Sequence, residues 1–85
     1  MEKLKESVGQ RIKQLRKRKN LTQEKLAELI DICPRQVSRL ECGGNFPSFT
    51  TFEKLSEALD VKTIEFFNFD NINIKKVQNT DKKSS

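Results

Sequence analysis

The chain contains no histidine, tryptophan or tyrosine, and its only cysteines are Cys33 and Cys42. Without histidine or a CxxC pair, a zinc site is not expected. No nucleophile–base grouping and no glycine-rich phosphate loop is present, so we expect no enzyme, metal or cofactor. If residues 34–41 are helical, the two cysteines lie roughly 13 Å apart at about 1.5 Å per residue, beyond the ~7 Å reach of a disulfide. Both are therefore expected to be free, reduced thiols.

Long apolar runs are also missing. No stretch approaches the roughly 18 residues of a membrane-spanning helix, and the first residues show no apolar signal-peptide region. We therefore expect a cytoplasmic protein without a membrane partner. Eighty-five residues make one small domain, in which only about 60% of the surface of the unfolded chain becomes buried. A separate ligand-binding domain has no room, so no small-molecule ligand is expected.

Charge is present but unevenly distributed. Residues 1–20 carry eight Lys or Arg against two Glu, whereas residues 46–70 carry two Lys against five acidic residues. A basic end beside an acidic middle suggests one face directed at a polyanion such as nucleic acid. The alternative is that the run Arg16–Lys19 is an ordinary solvated helix end.

Apolar residues recur at the spacing of helices along most of the chain. The first helix is predicted over about residues 4–19 and ends at Asn20, a residue type that tolerates left-handed backbone. Thr22 and Ser48 are suited to cap the second and fourth helices, and Pro34 suits the first position of the third. The predicted buried positions of the first two helices are Leu4, Val8, Ile12, Leu15, Leu26, Leu29 and Ile30.

The C-terminal half contains all six phenylalanines, between residues 46 and 69. We therefore expect this half to supply most of the bulky core, with Phe49 and Phe52 on the inner face of the fourth helix. A short fifth helix would carry Ile64 and its neighbours as far as about Phe69.

The motifs in these helices resemble a known family. LRKRKNLTQEKLAELIDICPRQVSRLE, followed by GNFPSFTTFEKLSEALDV and EFF, resembles the lambda-repressor-like, Cro/repressor (Xre) family of DNA-binding domains over about residues 8–67. The resemblance implies an all-α, compact five-helix domain over residues 1–70, in which helices 2 and 3 form a helix-turn-helix. Residues 71–85 form a polar, basic tail that we expect to be largely disordered, with an edge strand at Ile72 and Ile74 as the alternative.

The resemblance implies that helix 3 reads base edges in the major groove of double-stranded DNA through Arg35, Gln36 and Arg39. Arg can donate two hydrogen bonds to guanine O6 and N7, Gln can pair similarly with adenine, and Pro34 can touch a thymine methyl group. The alternative is that these are ordinary exposed helix residues.

The resemblance also assigns a backbone-phosphate contact to Gln23, at the start of helix 2, where helix N-termini favour phosphate. Further phosphate candidates are Ser38, Asn45, Lys17, Lys19 and the amide of Gly43. Arg16 and Glu41 match the family's ion pair between helix 1 and helix 3. Two positions depart from the family pattern: Asp31 replaces the usual glycine of the turn, and Cys33 replaces the usual Ser or Thr cap.

These residues predict a sequence-specific transcriptional regulator that binds a palindromic operator as a homodimer. One recognition helix offers few base contacts, and two half-sites about 34 Å apart would double them. The expected dimer interface is the fifth helix, through Ile64, Phe66 and Phe69, because that helix has more apolar bulk than one protomer can bury. The alternative is a protein-interaction module, such as an antitoxin or co-activator, whose main contact is another protein.

Overall fold

The computed structural model describes residues 2–69, and all regular secondary structure in this part of the chain is helical, with no strand. The described elements are α1 (Glu2–Arg18), α2 (Gln23–Ile30), α3 (Pro34–Glu41), α4 (Phe49–Leu59) and a 3₁₀ helix, η1 (Thr63–Phe67). The predictions for the tail, including Ile72 and Ile74, lie outside the described residues.

Helix boundaries follow local side-chain chemistry. Thr22 Oγ1 accepts a hydrogen bond from the Lys25 N–H at 3.0 Å, and Ser48 Oγ accepts one from the Thr51 N–H at 3.1 Å. Both caps satisfy amide groups that the first helical turn leaves without a partner. At the other ends, Asn20 and Asp31 adopt left-handed backbone, with φ of 59° and 62°. The left-handed geometry expected at these two positions is therefore present.

The fifth helix is a five-residue 3₁₀ helix rather than an α-helix, so four α-helices replace the predicted five. Lys62 gives η1 no side-chain cap, and isolated short α-helices are unstable because nucleation is costly. Contacts with α1 stabilise η1 instead. Arg11, 1% exposed, donates from Nε to the Glu65 carbonyl at 2.7 Å and from Nη2 to Glu65 Oε1 at 2.8 Å. Sequence reasoning did not identify this role for Arg11.

The core is mainly aliphatic, which corrects the expectation of a phenylalanine core. Only two phenylalanines, Phe52 and Phe66, are buried. Phe49, expected on the inner face of α4, is 78% exposed, and Leu29 of α2 is also exposed. The buried hydrophobic residues are Val8, Ile12, Leu15, Leu26, Ala27, Ile30, Val37, Leu40, Phe52, Leu55, Leu59 and Phe66.

A close crossing with α1 positions α3, the second helix of the predicted helix-turn-helix. A Cβ atom placed on Gly9 would lie 2.3 Å from the Leu40 carbonyl oxygen and 2.7 Å from that of Glu41. Any side chain at Gly9 would therefore push α1 away from α3. Because residue 9 has no side chain, α1 packs directly against α3.

Candidate nucleic-acid interface

The helix α3 has one buried face and one exposed face. Val37, Leu40 and Glu41 are buried against the rest of the protein. The exposed residues of α3 are Pro34, Arg35, Gln36, Ser38 and Arg39. All four residues predicted to contact bases therefore lie on the solvent-accessible part of one short helix, together with Ser38.

The N-terminus of α3 is capped in a way that the sequence analysis did not anticipate. Gln36 Oε1 accepts a hydrogen bond from the Cys33 N–H at 3.1 Å, as in a capping box formed by these two residues. Gln36 is the third residue after the cap, where Gln and Glu commonly bond back to the cap amide. The spacing of three residues between Cys33 and Gln36 was the signal in the sequence that could have predicted this hydrogen bond. Both cysteines are exposed and free, as predicted.

A buried ion pair joins α1 to the end of α3. Arg16 donates from Nε to Glu41 Oε2 at 2.6 Å and from Nη2 to Glu41 Oε1 at 3.0 Å, which is a two-pronged arrangement. Arg16 Nη1 also donates to the Leu21 carbonyl at 2.7 Å. Both charged side chains are buried, and these hydrogen bonds compensate for their removal from water. The Arg16–Glu41 ion pair that the family resemblance implied is therefore formed in the structure.

Gln23, the predicted phosphate contact, joins the same network. Its Nε2 atom donates to Glu41 Oε1 at 2.9 Å, while the side chain remains partly exposed. An amide nitrogen carries two N–H donors, so this bond leaves the second one for another acceptor. Glu41 therefore orients Gln23 as well as Arg16, a connection that sequence reasoning missed.

The other phosphate candidates are in different situations. Ser38, Asn45 and Lys17 are exposed. Lys19 is exposed too, with Nζ 3.9 Å from Asp60 Oδ2, a long surface pair that contributes little.

The prediction for the Gly43 amide is wrong because its N–H already donates to the Leu40 carbonyl at 3.2 Å. Gly43 has a φ of 83°, and the neighbouring Gly44 N–H donates to the Arg39 carbonyl at 2.8 Å. This is the usual paired hydrogen bonding at a helix C-terminus with a left-handed residue. The C-terminus of α3 thus uses both glycine amides internally.

The residues proposed for a dimer interface differ in how exposed they are. Phe66 is 0% exposed, so its assignment to the interface is corrected: its ring is part of the protomer's own core. Phe69 is partly buried against that core. Ile64 is 68% exposed and Phe67, which the sequence did not assign to the interface, is 42% exposed.

Two further observations concern residues 2–69. No helix there is both long enough and apolar enough to cross a lipid bilayer. The same residues bring no three His, Cys, Asp or Glu side chains together in a metal-binding group.

Similar proteins give this geometry a context. The model of the Helix-turn-helix family matches residues 12–66. A curated relative from Sinorhizobium fredii (strain NBRC 101917 / NGR234), the uncharacterized HTH-type transcriptional regulator y4aM, is 37% identical over 60 residues. That match covers 71% of this chain but 42% of the relative, so the chain spans less than half of the relative's length.

Solved structures show the same arrangement of helices. The restriction-modification controller protein C.AhdI from Aeromonas hydrophila superposes with a TM-score of 0.71 at 37% identity, covering 73% of this chain and 94% of that one. The clp gene regulator ClgR from Corynebacterium glutamicum superposes with a TM-score of 0.78 over 95% of this chain and 88% of that one. At 22% identity, the second likeness shows the fold alone.

Proposed function

The chain belongs to the helix-turn-helix family of DNA-binding transcriptional regulators, and from this premise we propose that it binds a palindromic operator sequence-specifically as a homodimer. The observation that carries the proposal is the exposed face of α3, which presents two arginines on a helix whose opposite face is buried.

The reading residues are Arg35 and Arg39. They are four positions apart on α3, so their side chains leave the same face of the helix. Both are exposed, and each guanidinium can donate two hydrogen bonds to guanine O6 and N7. Pro34 lies one position before Arg35 and adds apolar surface that suits a thymine methyl group. The proposed operator half-site therefore contains guanines at the two positions that face the arginines.

The phosphate contacts are proposed to flank this face. Gln23 offers its second amide N–H at the start of α2, and the bond to Glu41 restricts its rotation before DNA arrives. Restricting a side chain in advance lowers the entropy that binding must remove. Ser38, Asn45, Lys17 and Lys19 are the additional candidates, and the basic residues of α1 increase the attraction to the phosphate backbone.

The proposed dimer surface is η1. Residues three apart lie on the same side of a 3₁₀ helix, which places Ile64 and Phe67 together, and both are exposed. We name this pair the η1 patch. The Phe67 ring continues the patch toward Phe69, whose centroid lies 6.4 Å away. Two-fold symmetry would bring the patch against its own copy.

Selection of bound sites from random double-stranded DNA tests the proposal. We expect a palindromic consensus whose half-sites contain guanine. Arg35→Ala and Arg39→Ala should each relax the preference at one base pair per half-site and weaken binding by about tenfold or more, since one good two-pronged contact provides about 1–3 kcal/mol of discrimination. Lys54→Ala, which removes an exposed positive charge from α4, is the control and should leave the consensus unchanged.

The protein-interaction module is the competing function. It predicts weak DNA binding that barely changes in Arg35→Ala and Arg39→Ala and gives no consensus. Recovery of random sequences by the wild-type protein would refute specific regulation. A consensus without two-fold symmetry would keep DNA reading but refute the palindromic operator.

A further inference from the structure

Gln36, which the sequence predicts to contact a base, also forms a hydrogen bond at the start of its own helix. Its Oε1 atom accepts a hydrogen bond from the Cys33 N–H at 3.1 Å, the back-bonding half of a capping box. The amide groups at the start of a helix have no helical partner, and Gln36 supplies an acceptor for one of them, the Cys33 N–H. The start of the recognition helix therefore depends on Gln36.

The position of Gln36 in a groove supports the same orientation. A groove of about 250 Å³ lies between α3 and the start of α4, and Gln36 forms part of its wall together with Ile32, Leu40, Asn45 and Thr51. The Gln36 side chain thus lies along the α4 side of α3, with its carbonyl oxygen turned back to the helix N-terminus.

This orientation conflicts with the usual pairing of glutamine with adenine. That pairing requires the amide nitrogen to donate to adenine N7 while the amide oxygen accepts from the adenine 6-amino group. Both amide atoms must face the base edge side by side. In this protein the oxygen faces the backbone of its own helix, and only the nitrogen, with its two N–H donors, is left for a base.

We propose that Gln36 is a positioning residue for α3 and that it reads its base pair by donation alone, from Nε2 to a purine N7. The inference rests on the proposed function and refines it. N7 is an acceptor in both adenine and guanine, so donation to N7 does not distinguish adenine from guanine. It replaces our sequence-based expectation of two-pronged adenine reading.

The positioning role is tested with two substitutions. Gln36→Glu keeps an acceptor for the Cys33 N–H and loses the donor, whereas Gln36→Ala loses both. Amide hydrogen exchange at Cys33 should accelerate by about fivefold or more in Gln36→Ala, as expected for loss of one hydrogen bond, and should stay near the wild-type rate in Gln36→Glu. Equal exchange rates in all three proteins would overturn the positioning role.

The reading role is tested on an operator selected with the wild-type protein. The base pair facing Gln36 is the one whose preference is lost in both Gln36→Ala and Gln36→Glu. At that position we expect adenine, guanine and a purine without the 6-amino group to bind the wild-type protein within about twofold of one another. A 7-deazapurine, which lacks the N7 acceptor, should weaken binding about fivefold, the effect of one hydrogen bond.

The outcomes separate this inference from the proposed function. If the wild-type protein selects no consensus, the proposed function fails first. If a consensus is found, two results overturn donor-only reading: a Gln36-dependent loss of about fivefold when the 6-amino group is removed, or no base pair whose preference changes in the Gln36 variants.

Discussion

Gly9 shows how one missing side chain positions α3, the helix that we propose reads DNA. The backbone of α3 lies so close to α1 that a Cβ at residue 9 would meet two main-chain oxygens, those of Leu40 and Glu41, at 2.3 and 2.7 Å. Main-chain atoms within packed helices cannot move as a side chain can, so the two helices must separate. The identity of residue 9 therefore affects the position of α3.

We expect Gly9→Ala to lower the free energy of unfolding by about 2–3 kcal/mol or more, within the range of overpacked cores and despite the better helix propensity of alanine. Urea unfolding followed by circular dichroism measures the change. The matched control is Gly44→Ala, since a Cβ there would lie 3.4 Å from its nearest neighbour, the Arg39 carbonyl oxygen. A Gly9→Ala protein as stable as the Gly44→Ala protein would contradict the close crossing.

At the scale of the elements, a charged network connects α1, α2 and α3. Arg16 on α1 bonds to Glu41 on α3, and Glu41 also accepts from Gln23 on α2. The two buried charges compensate each other, and the neutral Leu21 carbonyl and Gln23 amide complete their hydrogen bonding. Removal of one partner leaves the second charge buried without compensation, whereas replacement of both by apolar residues removes the problem.

A double-mutant cycle on this pair follows from that asymmetry. Arg16→Met and Glu41→Leu alone should each reduce stability by about 3–5 kcal/mol, whereas the double variant should lose less than either single one. Chemical denaturation of the four proteins measures the coupling. Costs that simply add in the double variant would show that the two charges do not compensate each other.

The elements also show which features local sequence can predict. Thr22, Pro34 and Ser48 mark helix starts because capping depends on residues within one turn, and the exposed face of α3 followed from the helical period. The nature of η1 depended on Arg11 and Glu65, 54 positions apart, a contact that no local pattern encodes. Burial of Phe66 but not Phe49 likewise depends on how η1 packs on α1 and how α4 packs on α2 and η1. The capping role of Gln36 was readable from its spacing but was hidden by the expectation that it faces DNA.

For the whole molecule, positive charge and exposed apolar surface lie in different parts of the chain, which favours separate contacts with DNA and with a protein. The first 20 residues are strongly basic and residues 46–70 are acidic, so the attraction to DNA is concentrated in one part of the chain. The η1 patch belongs to the acidic part, where exposed apolar residues gain little from a polyanion. The second protein copy that we propose would suit the patch better, because apolar burial is the main driving force of such contacts.

Ile64→Glu tests this division of surfaces. Ile64 is 68% exposed, so the substitution should leave folding of the protomer nearly unchanged while it places a charge in each half of the proposed dimer. Loss of an apolar side chain from an interface costs about 1.5–3 kcal/mol, so dimer dissociation should become easier by about tenfold or more, as measured by sedimentation equilibrium. Gln10→Glu, which adds the same charge at an exposed position of α1, should leave dissociation unchanged.

On the selected operator, Ile64→Glu should bind the two half-sites independently instead of together, with the same base preferences, because α3 is untouched. Equal dissociation constants for the wild-type, Ile64→Glu and Gln10→Glu proteins would place the dimer contact elsewhere, and a wild-type protein that is monomeric both free and on DNA would refute the homodimer.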